Sequence, residues 1–234
     1  MNVTFRSLPN WSEHLPQPML ARHGLPDWLR RMPASVESQL MGEPVETLKQ
    51  YPPFVDAMCA GFLMPLACDI EVRDGEISWD WDLPAGNSVP VPLAPIGLYL
   101  SDQLVGTPFH VPDQTAFRFM NFWTIECALG VSLLCTHPVN RFDLPFRTLS
   151  GVVDCDSYKD GLVHFPAVWT DPEFDGIVPR GTPIAQCVPF HRESLQLQTD
   201  VLAGERLDNF NAIQDAELEE PNLYRKLFRA PRPN

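Results

Sequence analysis

The chain has 234 residues, 44% of them hydrophobic, and 30 acidic against 17 basic side chains give a net charge of −13. That apolar fraction supports a packed core and excludes disorder throughout, and the acidic balance opposes binding to a nucleic-acid polymer or an anionic membrane, which need a positive field. No apolar run reaches the roughly 20 residues of a membrane helix, and the opening MNVTFRSLPNW lacks the charged-then-apolar plan of a secretory signal, so the expected setting is cytoplasmic and the expected partner a small anionic molecule.

Twenty-five prolines are spread along the chain, about twice average usage, and proline both denies a ladder donor and interrupts helices. The pattern predicts many short strands and few long helices. Residues 1–61 read as an N-terminal arm rich in proline and tryptophan, with a helical turn near 26–31 and Trp11 and Trp28 as anchors. A short helix closes the arm: Pro52 opens it, Phe54, Val55, Met58 and Cys59 share a face, and Gly61 stops it.

The β core is expected over 62–190. A strand over 62–73 leads into Asp74-Gly75, a strong hairpin signal, and the following run alternates Ile77, Trp79 and Trp81 with Ser78, Asp80 and Asp82. Residues 84–113 form a proline-rich loop with a short turn near 102–105. Strands are then predicted over 116–120, 123–128, 131–136, 146–153, 162–169, 176–178 and 184–190, which indicates a sandwich or barrel rather than alternating βα units. Residues 191–234 form a tail, helical from 204 to 229, with Leu207, Phe210 and Ile213 on one face, Pro221 as a break, and Leu223, Tyr224, Leu227 and Phe228 on another.

Six cysteines show no C-x-x-C spacing and sit mostly in apolar segments, so they read as reduced core thiols. Cys155 lies between Asp154 and Asp156, and two flanking carboxylates raise a thiol pKa, which argues against a nucleophile. Trp79, Trp81, Trp123 and Trp169 suit core packing better than a ligand pocket. G-x-S-x-G, the P-loop and G-x-G-x-x-G are absent, which leaves serine-hydrolase, nucleotide-motor and dinucleotide-dehydrogenase readings without support.

Two segments carry the candidate chemistry. In Ser-Gly-Val-Val-Asp-Cys-Asp-Ser-Tyr (150–158), Asp154 and Asp156 are candidate catalytic carboxylates that Mg²⁺ would bridge to a phosphate; the plainer reading has them bonding turn amides. In THPVNR, His137 is a candidate acid or base while Asn140 and Arg141 could clamp an anion; the plainer reading is a turn in which Arg141 pairs with Asp143. A third arrangement gathers two of His110, His137, His164 and His191 with Asp113 or Asp154 around Fe²⁺, although no H-x-H or H-x-D occurs.

The pairing of SGVVDCDSY with the downstream RGTPIAQCVPF resembles two motifs of the dUTPase and dCTP deaminase superfamily. PLACDIEV and HPVNRFDLPFR stand where that superfamily carries an early Asp-bearing strand and a phosphate-contacting segment. The resemblance implies a β-clip fold, a nucleotide pocket between subunits, Asp154 under the sugar orienting water, Tyr158 stacking on the deoxyribose, and Gln186 contacting phosphate. The chain departs from the pattern at HPVNR, where an Arg-Ser pair is expected, by an extra residue before Tyr158, and in lacking a glycine-rich closing arm. The whole chain also looks like a family of phage and bacterial proteins, which implies no mechanism.

The expectation is therefore a mainly β protein with a β-clip or related barrel or sandwich core, acting as a homo-oligomeric small-molecule enzyme on a nucleotide or other anionic substrate, a hydrolase in type. One alternative is a mononuclear iron oxygenase in a double-stranded β-helix. The other is a noncatalytic binding or assembly module, in which arm and tail exchange between subunits.

Overall fold

Proline and glycine punctuate the chain into short strands, and sixteen of these form among the residues that the computed structural model describes: 1–81, 83, 93–98, 100–110, 116–220 and 222–231. They are β1 (Val3–Arg6), β2 (Met19–Leu20), β3 (Ser35–Glu37), β4 (Pro44–Glu46), β5 (Phe62–Pro65), β6 (Ile70–Arg73), β7 (Glu76–Ser78) and β8 (Ile96–Leu98). There follow β9 (Ala116–Phe119), β10 (Thr124–Cys127), β11 (Val131–Thr136), β12 (Phe146–Thr148), β13 (Gly151–Val153), β14 (Phe165–Trp169), β15 (Gly176–Val178) and β16 (Pro183–His191). Three helices, α1 (Asp27–Arg31), α2 (Pro52–Cys59) and α3 (Glu205–Glu219), complete the regular structure together with short turns. The protein is mainly β, as the sequence predicts. Asp82, Asp113, Pro221 and residues 84–92 of the proline-rich loop lie outside the described residues.

The chain divides into two units, one of Met1–Arg31 with Asp56–Arg192 and one of Met32–Val55 with Glu193–Asn234. The segment expected as an arm over 1–61 is thus shared between them. In the first unit a five-stranded sheet runs β13-β11-β16-β5-β2 and a four-stranded sheet runs β12-β14-β9-β8, beside β15-β6-β7 and the pair β1-β10. Every pairing is antiparallel. No sheet among the described residues closes on itself, so the core is sandwich-like rather than a barrel.

One continuous core joins the two larger sheets: Met64, Leu133 and Cys187 from the first pack in the same cluster as Phe117, Phe146 and Phe165 from the second. Trp11 is buried on a smaller cluster, edge-on to Phe122 with ring centroids 5.6 Å apart. Trp28 does not anchor the arm by burial; it stays exposed, and its indole N–H donates to Asp143 Oδ1 at 3.3 Å.

Local signals fixed several of these elements. Asp74 and Gly75 both take positive φ, 52° and 79°, the primed turn whose twist suits the β6–β7 hairpin. Gly61, after α2, has φ +68°, and a Cβ there would lie 2.0 Å from the Cys187 carbonyl oxygen, so no other residue fits. The predicted strand over 146–153 breaks at Leu149 and Ser150 into β12 and β13, which belong to different sheets. The one over 62–73 likewise divides into β5 and β6.

In the second unit β3 and β4 form a hairpin, and α3 precedes a π-type turn, Tyr224–Phe228. Side chains tie it internally: Asn222 Nδ2 donates to Glu46 Oε1 at 3.2 Å and Arg225 Nη1 to Gln50 Oε1 at 2.6 Å. Leu223 is the one buried apolar side chain among this unit's described residues.

Candidate functional site

The candidate residues lie beside strand β11, in two clusters at its opposite ends. Antiparallel register brings Asp154 across from Ser132 at the start of β11 and Gln186 across from Thr136 at its end. Four residue steps, about 14 Å at about 3.4 Å each, separate Ser132 from Thr136. The register thus sets the Asp154 turn and the Gln186 segment at opposite ends of β11.

At the first end β13 stops at Val153 and the chain turns, with the amides of Ser157 and Tyr158 donating to the Asp154 carbonyl oxygen. Both carboxylates converge on Arg192: Nη1 donates to Asp154 Oδ1 at 3.3 Å and to Asp156 Oδ1 at 3.0 Å, while Nη2 donates to Asp156 Oδ2. Ser132 Oγ donates to Asp154 Oδ1 at 2.6 Å and the Gly130 amide to Asp156 Oδ2 at 2.9 Å. The side chain of Asp156 is 2% exposed and that of Asp154 is 60% exposed. Hydrogen bonds from Arg192, then from the Gly130 amide, hold Asp156 well below the usual carboxylate range. The guanidinium thus takes the role a bridging Mg²⁺ would fill, and a second cation there would meet its repulsion.

Between them Cys155 points into the core, fully buried, and burial above all pushes its thiol up to about 12, which leaves little thiolate there at neutral pH. Tyr158 is half exposed and its ring lies over Gly161, where a Cβ would come within 2.1 Å of the ring.

At the other end the 137–141 turn is closed on itself. The Thr148 amide donates to His137 Nδ1 at 3.3 Å, which leaves the proton on Nε2 to donate to the Arg141 carbonyl oxygen at 2.8 Å. Both ring nitrogens are engaged, and burial lowers the His137 pKa against the raising effect of that carbonyl, so the ring stays neutral. Asn140 takes φ +59°, a left-handed turn conformation, and the Arg141 fork grips Asp143, Nε to Oδ1 and Nη2 to Oδ2 both at 2.9 Å. Burial works to raise the Asp143 pKa, but the hydrogen bonds and charge of Arg141 outweigh it and hold the carboxyl low. Of the two readings of this segment, the Arg141–Asp143 pair is the one that forms.

Gln186 lies inside the protein, 1% exposed, with every polar atom bonded. Its Nε2 donates to the carbonyls of Ala57 and Ala60 at the end of α2, and its Oε1 accepts from the Val139 amide at 3.0 Å. It knots three segments together, which is a different task from touching a ligand.

Sequence reasoning missed Arg192. The signal was latent in register: once β16 pairs with β11 so that His191 faces Val131, the next residue falls beside Gly130, and the Arg192 amide donates to the Gly130 carbonyl at 2.9 Å. Among the described residues no three of His, Cys, Asp and Glu converge on a point that could hold a metal, and His164 Nδ1 accepts from the Asn121 amide at 3.2 Å.

The fold and these sites define a mainly β protein whose polar clusters are internally paired. No protein-family model matches the chain, and no curated protein is significantly similar to it.

Proposed function

We propose that this chain is a noncatalytic binding and assembly module that associates with further copies of itself through the unit formed by Met32–Val55 and Glu193–Asn234. The observation that carries this reading is the inverted burial of that unit. Leu223 alone is buried among its described apolar residues, while Leu40 is 93% exposed, Leu195 83%, Leu197 and Val201 85% each, and Phe210 46%. Exposed apolar side chains recur through both of its segments, including Leu48, Leu218 and Leu227, which a partner surface would cover. A segment of this size without a core gains its stability from what covers it.

The candidate catalytic groups support the same reading, since Asp156, His137, Arg141 and Gln186 spend their polar atoms on neighbouring residues. Light scattering on the full chain over a range of concentrations tests it. A mass of two or more chains is expected, and a single-chain mass throughout would oppose it.

A second reading follows the resemblance to the dUTPase and dCTP deaminase superfamily. What favours it is the open face beside the Gly-Val-Val-Asp turn, where Asp154 and Tyr158 are both more than half exposed next to Arg192. A nucleotide hydrolase using Asp154 would show thermal stabilisation in a panel of nucleotides, abolished by Arg192→Ala. A flat panel removes it.

A further inference from the structure

Four thiols gather in the middle of the core. Cys127, Cys135, Cys155 and Cys187 are all buried in one cluster, and they come from β10, β11, the turn after β13, and β16. Two of them stand directly opposite each other: Cys135 and Cys187 are register partners on antiparallel neighbours, and their sulfurs are 3.4 Å apart. Directly opposed residues on antiparallel strands have Cα atoms about 4.5 or 5.5 Å apart, and both spacings fall within the roughly 4.4–6.8 Å that a disulfide spans. Closing the gap to the roughly 2.05 Å of an S–S bond asks for a small rotation of each side chain and no movement of backbone.

We propose that Cys135 and Cys187 are an oxidation site, forming a reversible cross-strand disulfide when the protein meets a peroxide. Cys135 Sγ attacks one peroxide oxygen, the O–O bond breaks, and the thiol proton leaves in the first water, giving a sulfenic acid. Cys187 Sγ then attacks that sulfur, the S–O bond breaks, and a second water carries away the hydroxyl and the Cys187 proton. Both sulfurs are oxidised and one peroxide is reduced to two waters. The order follows from the pair itself. Cys187 is fully buried and donates a hydrogen bond to Cys135, which favours thiolate on Cys135, whereas burial first and that same bond second disfavour it on Cys187. Cys135 is also the more accessible, at 4% exposure against 0%.

The consequence is mechanical. β16 is the central strand of the five-stranded sheet and β11 its neighbour, and the bond would pin them in register next to Gln186. Oxidation should raise the unfolding midpoint without changing the fold.

The test treats native full-length protein with hydrogen peroxide, quenches it, denatures it in an alkylating reagent, and counts modified cysteines by intact mass. Six alkylations are expected before treatment and four after, with peptide mapping placing the link between residues 135 and 187 and dithiothreitol restoring six. Six alkylations after treatment, or a link through Cys127, Cys155 or another chain, would overturn the proposal. Cys187→Ser should leave a trapped sulfenic acid on Cys135 and no intrachain link; if that variant does not fold, the map of the unaltered protein decides alone.

Discussion

Arg192 grips Asp156 with both of its terminal nitrogens, at the residue that follows the last strand of the first unit. A side chain from the segment expected as the C-terminal tail therefore fixes the acidic turn, and the turn's carboxylate is desolvated in the act. The clamp is structural in its first effect, and its chemistry is visible in how stability should respond to pH.

Asp156 has a folded-state pKa held well below its unfolded value near 3.9, so the unfolded chain binds the extra proton between the two values. Its contribution is present above about pH 4 and is lost as pH falls through the folded value. Asp156→Asn should lower the melting temperature by several degrees at pH 7 and remove this part of the acid dependence. A variant as stable as the parent at pH 7 would show that the clamp contributes nothing.

His137 and His164 titrate in a separate window. Burial lowers both pKa values, foremost among the causes, so the unfolded chain again takes protons more readily, and stability present above about pH 6.5 declines as pH falls towards the folded values. NMR titration of the ring carbons should find both imidazole midpoints below 6.5. Midpoints at or above 6.5 would contradict the buried, singly protonated His137.

Gly61→Ala combines a left-handed φ with a Cβ driven onto the Cys187 carbonyl. Backbone meets backbone there, so no side chain can turn aside, and a loss of about 3 kcal/mol or more is expected from urea unfolding. A loss under about 1 kcal/mol would mean that the α2–β16 approach is looser than the structure gives.

Gln186→Leu keeps the volume and removes three hydrogen bonds, leaving the Val139 amide and the Ala60 carbonyl without their partner, while the Ala57 carbonyl keeps the Ala60 amide at 3.3 Å. Buried groups without partners cost about 1–3 kcal/mol each, so the expected destabilisation is about 2–4 kcal/mol after partial relaxation. A phosphate-contacting glutamine would instead change ligand affinity and leave stability alone.

Much of the fold was legible because its signals were local. Asp-Gly at 74–75, Pro52 at the head of α2, and the apolar runs of β11 and β16 each state their geometry within a few residues. What stayed hidden was non-local. Nothing within 146–153 reveals that Leu149 and Ser150 carry the chain from one sheet to the other, because both halves are equally strand-like. The site residues were found as types and misjudged as partners: Gln186 and His137 look like free polar groups in a string and are saturated in the fold. Arg192 could be assigned only by a register that no local pattern prints.

Association through the Met32–Val55 and Glu193–Asn234 unit is the central claim, and sedimentation equilibrium of the full chain beside a Phe210→Asp, Ile213→Asp double variant tests it most directly. Both side chains lie on α3 and are more than one third exposed. The unaltered protein should sediment as an oligomer at micromolar concentration, and the variant should dissociate at least about tenfold more readily while keeping its melting behaviour under dilute conditions. Identical single-chain masses for the two proteins at every concentration would contradict the account.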